Sequence, residues 1–453
     1  MDDPLDASIR AVLNVVVDKV RQLPASEPPR RVRAHWSFPN FTYGENGPVN
    51  GNGTVVTEED PDWSEAAERV LSFVREEEAF KTCLGLIVSR KVGTVVPDAR
   101  LEWSVRTLAG MVLANPSEAE DAKTRVAAAM RGAILDLPIP HSASVRLTGI
   151  IIPEGELRVR HRETSFTLRQ TRRSDVELPF GPFGGPDILR PPDAVLEVRM
   201  SGKPFLEIQE QVERAITILR LFTNAPVQAL FTTHRSESDL IDSGIGWSGR
   251  VHGSWRKAIL RPTDQDALQR LWDGLFGQLP ATFYRFGEPS LDPVSVAHDR
   301  FKDAHSNGGE FERCVMNAVM GLEALFFKPT GEQAELTYRL SMRVARYLSC
   351  LSYDAVKTRE IVEFAYSVRS GYVHGGRAAS ADKRKIQRQY TTLPEFQTAL
   401  LDLVRVSITA GLIRQTDKEE FIDLIDDSMV EARKVTELQN SLGPVRQVLS
   451  LPS

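Results

Sequence analysis

EFERCVMNAVMGLEALFF, residues 310–327, places apolar side chains at Phe311, Val315, Ala318, Val319, Leu322, Leu325 and Phe326. Spacings of three and four put these positions on one stripe of a helix. The period continues on both sides. Val294–His305 precedes it, and Gln333–Leu351 and Asp354–Tyr372 follow. The last of these carries its own stripe of Val356, Ile361, Phe364, Ala365 and Val368. Further on, Pro394–Ile413 and a stretch from Asp417 to about Leu438 read as helices, and no strand signal appears after Leu291. Long helices on short connections favour antiparallel neighbours, so residues 286–453 are predicted to form an all-α bundle.

Upstream the pattern differs. Asp6–Arg21, Trp63–Val88, Ala99–Leu113 and Ser117–Leu135 have helical spacing, with an irregular, Pro- and Gly-rich connector at 24–53, so residues 1–138 are expected to be mostly helical. Residues 139–285 read as mixed α/β. Ser144–Ile152, Ala194–Met200 and Val227–Thr233 are strands, Glu156–Arg169 is a hairpin, and Phe205–Phe222 and Asp264–Leu279 are helices. At 453 residues the chain exceeds what one core usually holds. The expected fold is therefore multidomain, an N-terminal mixed α+β region followed by an all-α C-terminal bundle.

A formal charge of −5 gives no global cationic field for coating nucleic acid, although a local basic site remains compatible with it. Cys83, Cys314 and Cys350 lack metal-ligand spacing and read as buried free thiols. P-loop, dinucleotide and HExxH patterns are absent, so no cofactor and no metal is expected. The N-terminus lacks a basic signal region, and no uninterrupted apolar run is long enough to span a bilayer. A cytoplasmic protein without a membrane partner is the expectation.

Chemistry concentrates where the fourth bundle helix ends, in Tyr366-Ser-Val-Arg369-Ser370-Gly-Tyr372-Val-His374-Gly-Gly376. The glycine pair can stop the helix. Arg369 offers a permanent planar cation for phosphate oxygens, and His374 offers an imidazole that can move protons. Together such groups suffice in principle for RNA cleavage without metal. Spacing alone is weak, because Arg30–His35 and Arg300–His305 share it. Arg30 falls in the connector, where a solvated turn is expected, and Arg300–His305 on a helix face expected to be exposed.

GLEALFF (Gly321–Phe327), the next helix with Arg339 and Arg343, and then RSGYVHGG together resemble the Apea-like branch of the HEPN superfamily, over about Leu291–Leu412. The resemblance implies a helical bundle that dimerises and an endoribonuclease with an R-x(4–6)-H motif, of the kind found in RNA-targeting defence systems. On that pattern Arg369 and His374 match the catalytic pair and Glu323 an acidic position. Ser370 departs from the Asn, Asp or His common after the arginine. Tyr372 could stack on a base or belong to the core. The basic run Arg377, Lys383, Arg384 and Lys385 could hold an RNA backbone or be a solvated loop. Arg158, Arg160 and Arg162 read as one exposed face of the hairpin.

Three functions follow as expectations. One is a metal-independent endoribonuclease in anti-phage defence or abortive infection, acting on RNA as a homodimer or higher homo-oligomer. Its N-terminal region would sense an unknown trigger ligand or phage protein. Another is a non-catalytic RNA- or ligand-binding sensor that uses the bundle to dimerise. The third is a structural role, with Arg369 paired to Glu323 and His374 capping the helix.

Overall fold

The computed structural model describes residues 3–24, 28–37, 42–44, 47–49, 54–90, 97–135, 137, 139–172, 175, 178–179, 191–202, 206–236, 245–247, 256–283, 292–306, 310–328, 335–375, 380–414 and 417–449. Helix α1 (Pro4–Gln22) starts with Pro4 in its first turn, and the Asp3 carboxylate accepts the Leu5 N–H at 3.0 Å. These are standard devices for starting a helix. Leu5, Ile9, Val12, Leu13, Val16 and Val20 then face a core shared with α2 (Ser64–Glu76), α3 (Glu78–Ser89), α4 (Pro97–Ala114) and α5 (Ala119–Ile134).

Two expectations for this region are corrected. The stretch taken as an irregular connector contains strands β1 (Arg30–Ser37), β2 (Thr42–Gly44) and β3 (Gly47–Val49). β1 pairs antiparallel with β4 (Thr54–Pro61), so its partner lies across an intervening segment and the local composition hides it. Arg30 is thus on a strand, 3.4 Å from Glu59, and not in a basic turn. The single helix read over Trp63–Val88 breaks at Glu77, whose backbone is extended (φ −73°, ψ 140°).

The middle of the chain forms an antiparallel sheet. It contains β5 (Ile139–Thr148), β7 (Glu156–His161), β8 (Thr164–Gln170), β10 (Ala194–Gly202), β11 (Gln228–Ser236) and β12 (Ile245–Trp247), in the order β12-β11-β5-β10-β8-β7. Short β6 (Ile150–Ile151) pairs in parallel with β13 (Ala258–Ile259), and β9 (Leu178–Pro179) joins β1. Helices α6 (Leu206–Thr223) and α7 (Gln265–Leu275) pack on the sheet. The hairpin expected over Glu156–Arg169 is β7–β8, with Leu157 and Val159 buried and Arg158 and Arg160 exposed. Arg162 leaves that face, because it occupies the turn with φ +53°.

β7 ends the sheet, and an open edge is a template for unwanted pairing. Two glutamines of α7 close it. Gln265 accepts the Arg158 N–H at 2.7 Å and donates to the Arg158 carbonyl at 2.5 Å. Gln269 does the same for Arg160, at 3.1 Å in both directions. The match is geometric: four residues of helix rise about 6 Å and two residues of strand about 6.7 Å.

The C-terminal part is all helical: α8 (Pro293–Ser306), α9 (Phe311–Phe326), α10 (Leu336–Ser349), α11 (Ala355–Val373), α12 (Ser380–Gln389), α13 (Leu393–Arg414), α14 (Lys418–Ser428), α15 (Ala432–Ser441) and α16 (Gly443–Leu449). The mixed region followed by an all-α region is therefore the observed layout. Two details change. Residues 380–389 are a helix, not a loop, because Ile386 and Tyr390 are buried against the bundle. The helix expected from Asp417 to about Leu438 is two, α14 and α15, with an extended backbone at Glu431 ending the continuity after α14, and α16 follows beyond the expected range.

Buried residues of the sheet and of the bundle form one continuous core from Ala143 to Val445. Side-chain bonds to backbone carbonyls reinforce the junction: Asn224 Nδ2 donates to the Thr398 carbonyl at 3.0 Å and Arg405 Nη1 to the Leu221 carbonyl at 2.7 Å. His305 lies within this core, edge-on to Phe301 at 4.4 Å, which corrects the exposed face expected for it. Among the described residues, α13 is the one helix long and apolar enough to cross a membrane. Of its most apolar window, 67% is buried inside the protein. All three cysteines are buried and free.

Candidate functional site

Helix α11 is started by Asp354, whose carboxylate accepts the Lys357 N–H at 2.8 Å. It is stopped where the glycines predict. The His374 N–H reaches the Ser370 carbonyl at 3.3 Å, and the Gly375 N–H reaches the Tyr372 carbonyl at 3.0 Å. Gly375 takes the left-handed conformation at φ +81°, which a side chain would oppose. This cap presents His374 as the last residue of the turn, exposed to solvent.

Arg369 points the other way. Its Nη2 lies 3.4 Å from Glu323 Oε2 on α9, and its guanidinium carbon is 5.5 Å from the Tyr366 ring centroid. Its Nε is buried without an acceptor among the described residues. Burial pushes the Glu323 carboxyl above its ordinary range, and the Arg369 charge and the neighbouring Tyr366 hydroxyl only partly oppose this. The Tyr366 phenol is raised by burial and by the neighbouring Glu323 charge. A half-buried cation is thus held by one carboxylate and one aromatic face.

Five residues at 100° each separate Arg369 and His374 by about 140° around α11. Arg369 accordingly faces α9, and His374 faces solvent. Ser370 and Tyr372 are half-buried between them, and both carbonyls serve the helix cap.

The basic run is also redistributed. Lys383 sits 2.8 Å from Glu312 and 5.7 Å from the Phe311 ring, at the start of α9. Glu312 and Glu323 are eleven residues apart on that helix, about 16 Å along the axis, so Lys383 is not beside the Arg369–Glu323 pair. Arg384 is exposed on α12. Arg377 and the side chain of Lys385 lie outside the described residues.

Support for the site comes from Arg343, which is almost fully buried. It donates to the Phe326 carbonyl at the end of α9 at 2.9 Å, and to both carboxylate oxygens of Asp426 on α14 at 2.8 and 2.7 Å. It fixes the helix end that carries Glu323. Sequence reasoning marked Arg343 without a partner, since Asp426 is 83 residues away. It missed Tyr366, although a position three residues before Arg369 on one helix is a signal for contact. Among the described residues, no three His, Cys, Asp or Glu side chains group as a metal site.

No family model matches the chain, and no curated protein or solved structure is significantly similar to it.

Proposed function

We propose that the protein is a metal-independent endoribonuclease of the HEPN type, acting as a homodimer in anti-phage defence, with the N-terminal region as its sensor. The observation that carries this reading is the pairing of a held arginine with a free imidazole at one end of a helical bundle. His374 is exposed and its side chain has no partner among the described residues, while Arg369 keeps a charged face within reach of solvent at 28% side-chain exposure. The divergence of the two residues around α11 favours a site shared between copies. A two-fold interface would bring two exposed His374 and two Arg369 to one cleft.

In the proposed reaction one imidazole takes the proton of the ribose 2′-OH. The 2′-oxygen forms a bond to phosphorus, the bond from phosphorus to the 5′-oxygen breaks, and a protonated imidazole of the second copy supplies the proton to that leaving oxygen. Arg369 stabilises the charge on the non-bridging oxygens. The products are a 2′,3′-cyclic phosphate and a 5′-hydroxyl.

The test is incubation of wild type, Arg369→Ala and His374→Ala with total RNA and labelled tRNA in EDTA, with folding checked in parallel. Cleavage by wild type alone, with cyclic or 3′-phosphate ends, supports the proposal. Equal cleavage by all three, or none at high enzyme with candidate triggers present, removes it. A second reading has its own observation. The Arg369–Glu323 pair and the helix-capping place of His374 also suit a bundle that only dimerises or binds ligand. That reading expects His374→Ala to leave RNA turnover unchanged.

A further inference from the structure

The N-terminal helical core holds a recess of about 220 Å³ where α1 and α4 end and α2 begins. Burial orders its lining. Val20 and Val112 belong to the buried core and form an apolar base, Trp63 is half-buried, and the exposed Arg21 and Arg69 stand at the rim. Pro24 and Pro116, each two residues past the end of its helix, add wall segments of fixed φ, so the space is largely pre-formed. No carboxylate is found in this lining among the described residues. The acids paired with the two guanidiniums are Asp18 at 3.7 Å and Glu65 at 3.9 Å, each exposed, one turn away on the same helix and outside the recess. Pairs of that kind contribute only about 0.3–0.5 kcal/mol, so they leave both cations available to another anion.

We propose that this recess binds a small carboxylate with an apolar body, a ring or a short branched chain. The site lies outside the ribonuclease reading, and its test uses no RNA. Volume limits the body. A cavity of about 150 Å³ takes up benzene, so this one admits a single ring with a short chain. Val20 and Val112 take that body out of water, and the Trp63 ring supplies a flat apolar wall. Charge sets the head group and its place. Two guanidiniums in the lining present planar forks that match a carboxylate, whereas an ammonium would meet two like charges and no acid. At the exposed rim the carboxylate keeps part of its hydration. At the apolar base it would lose that hydration with no donor to replace it. The ligand therefore enters with its apolar end first.

The experiment titrates the full-length protein with 3-phenylpropionate and with 3-phenylpropanol, a neutral molecule of the same shape, by ligand-observed NMR at neutral pH. Wild type should bind the acid saturably, with a Kd in the millimolar range expected for so few atoms. The alcohol should bind about fivefold more weakly, the size of two exposed ion pairs. The double variant Arg21→Gln, Arg69→Gln should bring the acid to the affinity of the alcohol and leave the alcohol unchanged. Ala66→Leu adds bulk to a half-buried residue of the lining and should weaken both ligands at least about tenfold. Circular dichroism checks the fold of each variant. Should Ala66→Leu fail to fold, the double variant still decides, because both of its positions are exposed. The site is overturned by unsaturable binding of the acid, by equal affinity of wild type for acid and alcohol, or by acid binding that the arginine substitutions leave unmoved. A folded Ala66→Leu that binds both ligands as wild type does overturns it as well.

Discussion

Lowering the pH should unfold the sheet-and-bundle core through its buried histidines. His305 is fully enclosed, and burial with the nearby Arg220 and Arg256 charges lowers its pKa to about 3. His298, stacked on Phe283 at 3.9 Å, is also held well below its ordinary value by burial, then by Arg220 and Lys302. The folded pKa lies below the unfolded one, so the unfolded chain binds more protons. The stabilisation is present above about pH 6.5 and is lost as pH falls towards 3. At pH 5 the difference of about 1.5 pH units corresponds to about 2 kcal/mol from His305 alone. His298 adds to the loss in the same direction. Urea denaturation at pH 7.5 and 5.0, followed by circular dichroism, reads this directly. His305→Phe keeps a ring against Phe301 but cannot titrate, so its loss of stability between the two pH values should be about 2 kcal/mol smaller than that of wild type. An equal loss in both proteins would refute the argument, because the acid sensitivity would then belong to other groups.

Other substitutions probe single features. Arg343→Ala leaves the Phe326 carbonyl and Asp426 without their donor and should cost about 3–5 kcal/mol by denaturant titration; a cost near zero would show that the clamp is replaceable by water. In Gly149→Ala the added carbon would meet the Pro226 carbonyl oxygen at 2.6 Å with φ at +90°, so a fall in Tm of several degrees is expected, from about 2 kcal/mol of strain. Gln265→Ala with Gln269→Ala uncovers the β7 edge, and light scattering should detect concentration-dependent association that either single variant shows more weakly. Gly375→Ala meets no neighbouring atom, so its cost should be the left-handed backbone penalty of about 1–2 kcal/mol, with native-like circular dichroism.

What sequence alone determined lies mostly within one helix at a time. The stripe from Phe311 to Phe326 is helical because its apolar residues repeat every three to four positions, and α9 buries that stripe. The end of α11 was legible because Gly375 supplies a conformation that few residues tolerate. The Arg369 and His374 spacing was legible for the same reason: both lie on a single turn-and-cap unit. Tertiary structure decided the rest, and the common cause is distance along the chain. β1 was read as a loop because its partner β4 lies beyond a Gly-rich segment, and strand pairing leaves no local period. His305 was expected on a solvated face because helical spacing does not say which structure covers a polar residue. Lys383 was grouped with its basic neighbours, yet it docks on Glu312, some 70 positions earlier. The direction of Arg369 depended on Glu323, 46 residues before it, and on the burial that raises that carboxyl. Short-range order follows from backbone propensity and periodicity. The partner of a buried charge is chosen only when the helices pack, because the cost of leaving it unpaired arises only then.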